Sequence, residues 1–327
     1  MRRPLTGCPA TNELSRPAGP GYFPAMALRF TLRQLEYLVA VGETGSIAAA
    51  ADRVNVSSPS ISVAIAQLEQ EFGLPLFVRR HAQGLSLTQG GRQFVAEARA
   101  VLTAAARLND LANEITGKVR GPLSVACLQT FAQVVLPGLR RSFTDLYPEV
   151  EFRQFERHQA EIFEGLRQAH FDVALTYDLD IPADLRFEPL LPLPPYALFA
   201  AEHPLAARAS VTAADLAPHP MVLLDLPFSS DYFLDVFRPL SLRPKIVERT
   251  RDISVMRAMV ANGFGFSIAN IQPAPETAPD GRALRLVPLE GVPSLNLGLA
   301  LAEGARGALT IRAFIDHCRR ALTGDKG

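Results

Sequence analysis

Ser46-Ile47-Ala48-Ala49-Ala50-Ala51-Asp52-Arg53-Val54-Asn55-Val56-Ser57-Ser58-Pro59-Ser60-Ile61-Ser62-Val63-Ala64-Ile65-Ala66-Gln67-Leu68 holds two helix starts separated by one tight turn. Ser46 can cap the first helix, and its run of alanines lets a neighbouring helix approach closely. Asn55-Val56-Ser57 makes the turn. Ser57 or Ser58 caps the second helix, with Pro59 in the first turn, where a missing N–H costs nothing. Ile61, Ile65 and Leu68 form one apolar stripe, and Gly73 ends it. Upstream, Leu35, Leu38 and Val39 recur with helical period until Gly42 and Gly45 stop the run. Two short helices, a turn and a third amphipathic helix predict a helix-turn-helix.

Working outward, Leu76-Phe77-Val78-Arg79-Arg80 and Leu85-Ser86-Leu87-Thr88 flank a polar, Gly-containing turn and read as a two-stranded wing. Gln89 to Ile115 then follow one helical pattern, roughly 40 Å long at 1.5 Å per residue. Phe94, Ala98, Val101, Ala105, Leu108, Ala112 and Ile115 recur every 3.5 residues, the seam of a dimerising linker helix. After Gly121-Pro122 the pattern changes. Strands at Leu123–Cys127, Val150–Phe155 and Phe171–Thr176 alternate with helices at Val134–Tyr147 and Glu161–Ala169, which predicts an α/β body with a largely parallel sheet. Pro192, Pro194 and Pro195 mark a break before a second α/β unit. Gly263–Ile268 reads as its returning strand, and a strand at Leu295–Leu301 and a helix at Leu309–Ala321 close the chain.

The chain has 327 residues, 48% hydrophobic and 20% charged, enough for two or three globular domains. No apolar run is long enough for a membrane helix. Basic and acidic residues number 33 each. Residues 27–120 hold ten basic against eight acidic groups, and residues 121–327 hold twenty against twenty-four. That slight asymmetry runs in the direction of a polyanion-binding head on a separate body. Residues 1–26 are rich in Pro and Gly and read as a disordered extension. Arg2 and Arg3 precede no apolar segment, so no signal peptide is expected. Cys8, Cys127 and Cys318 are scattered, which argues against disulfides and structural zinc and fits reduced thiols in the cytoplasm.

The chemistry of an enzyme is missing from the pattern. Gly263-Phe264-Gly265 lacks the third glycine of a dinucleotide loop, and no phosphate loop, HExxH or GxSxG occurs. The six histidines are dispersed. No catalytic residue, metal ligand or cofactor is expected. A solute-binding protein would share a two-lobed body, but the wing and the heptad helix would then have no role.

Residues 28–95 resemble the LysR-type transcriptional regulators. The matching text is Phe30-Thr31-Leu32-Arg33-Gln34-Leu35-Glu36-Tyr37-Leu38-Val39-Ala40-Val41, Gly45-Ser46-Ile47, Ala50-Ala51, Val56-Ser57, Pro59, Ser62, Ile65, Gln67-Leu68-Glu69, Leu74-Pro75-Leu76-Phe77, Arg79, Leu87-Thr88 and Gly91. The likeness continues through Leu136-Pro137, Phe143, Tyr147-Pro148-Glu149-Val150, Asp172-Val173-Ala174 and Gly263-Phe264-Gly265. It implies a multidomain protein: an all-α winged helix-turn-helix head, a long linker helix and a two-lobed α/β effector-binding domain like the type 2 periplasmic binding proteins. The expected limits are 27–88 for the head, 89–118 for the linker, 119–194 with 271–327 for the first lobe, and 195–270 for the second.

The same resemblance implies double-stranded DNA as a partner, with an imperfectly dyad operator, a linker-helix homodimer and a homotetramer. Ser57, Ser58, Pro59, Ser60, Ser62, Val63 and Gln67 would face DNA, with Arg79 and Arg80 on phosphates. Many relatives carry Arg and Gln where this chain has Val63 and Ala64, and a further basic residue at Ala66. Reading of guanine by Arg and adenine by Gln is therefore missing from its usual places, so shape and backbone contacts should carry more of the specificity. A small-molecule effector is expected between the lobes. Thr130, His158 and Gln159 match the family's contacts in the first lobe. Asp225, Ser229, Ser230 and Arg251 are candidates from polar turns of the second, Arg251 for an anionic ligand and Asp225 for an amino group.

Overall fold

The structure, a computed structural model, describes residues 29–80, 84–273, 275–303 and 307–323. The expected extension 1–26 lies outside them. The chain divides within one helix into two compact units, residues 1–106 and 107–327.

In the first unit, α1 (Leu32–Thr44), α2 (Ile47–Arg53) and α3 (Ser58–Phe72) form where the caps place them. Thr31 and Gln34 close a capping box on α1, Ser46 caps α2, and Ser57 caps α3. Leu35, Leu38, Val41, Ala50, Ile61, Leu68 and Leu76 are buried together. Each large side chain contributes about 1.5–3 kcal/mol by leaving water. β1 (Phe77–Arg80) pairs antiparallel with β2 (Gly84–Leu87) as the wing. Glu69 pins its root, its carboxylate accepting from the N–H groups of Leu76 (2.7 Å) and Phe77 (3.2 Å). α4 (Gln89–Thr116) follows. A Cβ on Gly91 would lie 2.0 Å from the Leu76 carbonyl oxygen, so only glycine fits there.

The second unit is built on a five-stranded sheet ordered β4-β3-β5-β12-β6. Its strands are β3 (Gly121–Leu128), β4 (Val150–Arg157), β5 (Val173–Tyr177), β6 (Leu185–Leu193) and β12 (Leu295–Ala302). β4 and β5 run parallel to β3 on either side, whereas β12 is antiparallel to β5 and β6. The sheet is therefore mixed, not largely parallel. Helices α5 (Gln129–Ala132), α6 (Leu136–Leu146), α7 (Gln159–Arg167) and α11 (Leu309–Thr323) accompany it. The helix expected over Val134–Tyr147 is thus preceded by a separate short turn of helix. Phe143 and Phe314 meet edge to face at 5.1 Å under α6 and α11.

A second layer holds β7 (Tyr196–Ala200) between β10 (Ser267–Ala269) and β11 (Leu284–Pro288), both antiparallel to it. Beside it β8 (Pro220–Leu224) and β9 (Lys245–Thr250) pair in parallel. α8 (Ala213–Leu216), α9 (Ser229–Asp235) and α10 (Ile253–Ala261) connect them. The chain passes between the sheets at Leu193–Tyr196, as the prolines predicted. The return differs from expectation. Residues 284–288, assigned from sequence to the first lobe, hydrogen-bond along the whole of β7 and so extend the second lobe past residue 270.

Candidate functional site

The exposed face of α3 carries Pro59, Ser60, Ser62, Val63, Ala66 and Gln67. Val63 is 56% exposed, the largest apolar group on that face. Ala64 is buried at 6%, within the head's core, so its position does not point outward as the sequence comparison assumed. Several polar groups of this face already serve the helix. Ser57 and Ser60 share a 2.8 Å hydroxyl contact, and Ser62 donates to the Ser58 carbonyl at 3.1 Å. Gln67 accepts from the Gln34 amide at 2.8 Å, tying α3 to α1. Gln34, not among the expected DNA contacts, thus orients one that is. β1 carries Arg79 and Arg80 on the wing, and their side chains lie outside the described residues.

In the second unit the topology itself marks a site. From β3 the chain winds first to β4 on one side and then to β5 on the other, which makes the carboxyl end of β3 a topological switch point. Open α/β sheets bind ligands at that crevice. Thr130 follows the end of β3, Gln159 follows β4, and Thr176 lies near the end of β5. Because these three strands are parallel neighbours, the three side chains share one sheet edge. All three are buried and each leaves a polar atom without a hydrogen-bond partner: Thr130 Oγ1, Gln159 Oε1 and Thr176 Oγ1. Gln159 spends its amide on the Leu179 carbonyl at 2.6 Å. His158 precedes it as the α7 cap, with Nδ1 likewise buried and unpaired. A buried orphan polar atom costs about 1–3 kcal/mol, so several along one edge point to an absent partner.

Tyrosines surround this edge. Burial pushes the Tyr177 hydroxyl above its ordinary range, with nearby Tyr196 adding to the shift and the Thr130 hydroxyl opposing it. Burial raises Tyr196 to about 12. All three tyrosines, including Tyr232, are therefore neutral donors at physiological pH. Tyr232 donates to the Pro293 carbonyl at 2.9 Å and accepts from Asn270 at 3.2 Å, and Asn270 also donates to the Leu193 carbonyl at 2.9 Å.

From the second layer, the turn before α9 is strained. Phe228 sits at φ 66, ψ −44, and the Ser229 N–H donates back to the Pro227 carbonyl at 2.8 Å. This is a γ-turn of the rare hand, a conformation a non-glycine residue adopts at a cost of about 1–3 kcal/mol. It aims the Phe228 ring at Phe163 of α7, 6.0 Å away. Ser229 is buried, Ser230 half-buried and Asp231 exposed. Asp225 faces Arg249 at 3.4 Å, so its charge is already matched and its nomination for an amino group loses its basis. Arg251 is exposed in the turn before α10.

A cavity of about 250 Å³ lies between α5 and α10, lined by Thr130, Gln133, Ser254, Arg257 and a proline-rich wall from Pro273 to Pro279. Of the expected effector residues only Thr130 lines it. His158, Gln159, Asp225, Ser229, Ser230 and Arg251 do not. Arg257, which the sequence reading missed, is 6% exposed. Its place inside a helical apolar run, Met256 to Val260, was the one available signal.

Among the described residues no helix is long and apolar enough to cross a membrane, and no group of three His, Cys, Asp or Glu could hold a metal. Cys127 and Cys318 are free, with burial pushing both thiols up and so suppressing the reactive thiolate.

Comparison with known proteins agrees with this architecture. The bacterial regulatory helix-turn-helix family of lysR type matches residues 32–92, and the LysR substrate binding domain matches residues 116–323. The transcriptional activator protein LysR of Escherichia coli is 29% identical over 292 residues, covering 89% of this chain and 93% of that protein. YnfL, an uncharacterized regulator of the same organism, is 31% identical over 248 residues, covering 74% and 82%. The crystal structure of HinK, a LysR family transcriptional regulator from Pseudomonas aeruginosa, superposes with a TM-score of 0.60 at 36% identity, covering 90% of this chain and 99% of that one. The chain belongs to the LysR family of DNA-binding transcriptional regulators, which carry a C-terminal effector-binding domain and are transcription factors, not enzymes.

Proposed function

We propose that this regulator takes its effector at the carboxyl edge of β3, β4 and β5, between the two sheets of the second unit. The observation that carries this reading is the set of buried, unpaired polar atoms of Thr130, Gln159 and Thr176 along that edge. Thr130, His158 and Gln159 contact the ligand from the first lobe, Ser229 and Ser230 from the second. Phe228 against Phe163, and Tyr232 on the Pro293 carbonyl, are contacts that change when the lobes part. A ligand touching both lobes favours the closed form by its difference in affinity and by no more.

In the head, α3 enters the major groove with Ser57, Ser58, Pro59, Ser60, Ser62, Val63 and Gln67, and Arg79 and Arg80 hold phosphates beside it. The protein acts in the cytoplasm as a homodimer joined through α4, and two dimers form a homotetramer on an imperfectly dyad operator. The test is a gel shift and footprint on DNA upstream of the gene, with and without candidate metabolites. A footprint that no metabolite alters in wild type, or one altered equally in Thr130→Val and Gln159→Leu, overturns the effector site.

A further inference from the structure

The cavity between α5 and α10 contains a charge that no acid among the described residues balances. Arg257 is buried, yet among the described residues no carboxylate pairs with it. Its Nη2 donates to the carbonyls of Pro275 (3.0 Å) and Thr277 (2.9 Å). A guanidinium has five N–H donors. Its Nε–H and Nη1 protons therefore have no protein acceptor among the described residues. Burying a charge without a counter-charge is costly, and proteins retain such an arrangement where a ligand completes it. Across the cavity the Thr130 hydroxyl is 5% exposed and unpaired. The amides that open α10 are already taken, because Asp252 accepts from those of Ser254 (2.7 Å) and Val255 (3.1 Å).

We infer that this cavity is a carboxylate site, in which Arg257 holds a small monocarboxylic acid with Thr130 and Ser254 beside it. With Nη2 held by the two carbonyls, the free Nε–H and Nη1–H can each give a carboxylate a single charge-assisted hydrogen bond. One cation balances one negative charge, whereas a dianion would leave a charge uncompensated in a site with no second cation in its lining. Besides Gln133 and Thr277, the remaining wall is Val134, Ile253, Ala278 and the prolines, apolar surface that suits a short hydrocarbon or ring body. The volume, about 250 Å³, falls below the range usual for drug-sized ligands. This inference rests on the effector reading above through Thr130, the one contact the two share, and gives the class of ligand that would reach from that edge into the cavity.

The test uses the full chain and calorimetry with butyrate and benzoate, against butyramide, benzamide and inorganic phosphate. At least one carboxylate is expected to bind tighter than its amide and than phosphate by roughly tenfold or more. Arg257→Gln should abolish that preference, and exposed Arg251→Gln should leave it intact. Arg257→Lys keeps the charge but cannot hold the Pro275 and Thr277 carbonyls and a ligand at once in the same geometry, and should bind severalfold more weakly. It serves as the reading if melting shows that the Gln variant does not fold. Amides or phosphate binding as well as the carboxylates, no carboxylate binding, or unchanged affinity in the Arg257 variants overturns the inference. The regulatory reading fails separately. Carboxylate bound through Arg257 without any change in the footprint removes the effector role alone, and a metabolite response intact in Arg257→Gln removes the carboxylate site alone.

Discussion

The Phe94 ring, first in the apolar repeat of α4, lies 4.4 Å from the ring of Phe72 at the end of α3. The repeat therefore serves two purposes along its length. Phe94 and Ala98 pack into the head, where Arg99 adds a 2.7 Å ion pair to Glu43. Beyond them Val101, Leu108, Leu111 and Ile115 stand 43%, 69%, 53% and 77% exposed. A surface of large apolar groups at helical spacing is a surface for a partner. Leu108→Asp should dissociate the dimer, since a charge buried at the seam costs several kcal/mol. The isolated chain should keep its stability within about 0.5 kcal/mol, because the site is solvent-exposed there. Sedimentation at an unchanged assembly size would refute the seam.

The wing arginines should act on all sequences alike. On the proposed phosphate contacts, Arg79→Ala or Arg80→Ala should lower affinity similarly for operator and random DNA and flatten the salt slope by about one per contact. Val63, on the outer face of α3, should behave differently. A Val63→Ser change removes a group able to touch a thymine methyl and should redistribute site preference with little change in salt dependence. Binding titrations across salt and a selection of bound sequences separate the two outcomes. Wild-type salt dependence in the double arginine variant would remove both contacts.

Thr130→Val should separate DNA binding from response. The substitution exchanges an unpaired, buried hydroxyl for a methyl of nearly equal volume. Folding should hold, because a methyl fills the same space and the hydroxyl's polar neighbour is the Tyr177 phenol. A hydrogen bond to a charged ligand group contributes about 1.5–3 kcal/mol, so effector affinity should drop roughly tenfold to a hundredfold. Equal affinity by calorimetry and an equal footprint shift would place the ligand elsewhere.

The head was the most readable part of the sequence because its signals are local. Thr31, Ser46 and Ser57 each cap the helix that follows, and Gly45 and Gly73 end helices at φ 63 and 66. The sheets were harder. β6 was missed because Pro189 and Pro192 interrupt its pattern. Proline is tolerated there since β6 is the edge strand beside β12. β11 was given to the wrong lobe because five residues between Gly281 and Gly291 carry no label of the strand they will join. The candidate site shows the same division. Thr130 and Gln159 are nominated by a likeness in sequence. Arg257 was hidden, since its solitude is a fact of three dimensions: nothing in the sequence says that no acid will fold beside it.

His317 of α11 should make the protein's stability respond to acid. Its ring packs on Phe143 at 5.5 Å, and Nε2 lies 2.7 Å from the Ser142 hydroxyl. Burial lowers its pKa from the ordinary 6.5, with the nearby Arg320 acting in the same direction and the Leu139 carbonyl opposing. The proton thus binds the unfolded chain more readily than the folded one. Stability from this group is complete above the unfolded value and is lost as pH falls through and below 6.5 toward the lowered folded value. His203 is lowered too, by burial and by His219, and adds to the same slope. These two histidines should pull the melting temperature down between about pH 7 and pH 5, against Asp172 and Asp110, whose carboxyls burial pushes up and which gain stability with acid. His317→Gln keeps a polar group against Ser142 but cannot take up the proton. Its melting curve should be flatter over that window by at most one proton's share of the slope, leaving the part due to His203. A slope identical to wild type would mean that His317 carries the same proton affinity folded and unfolded.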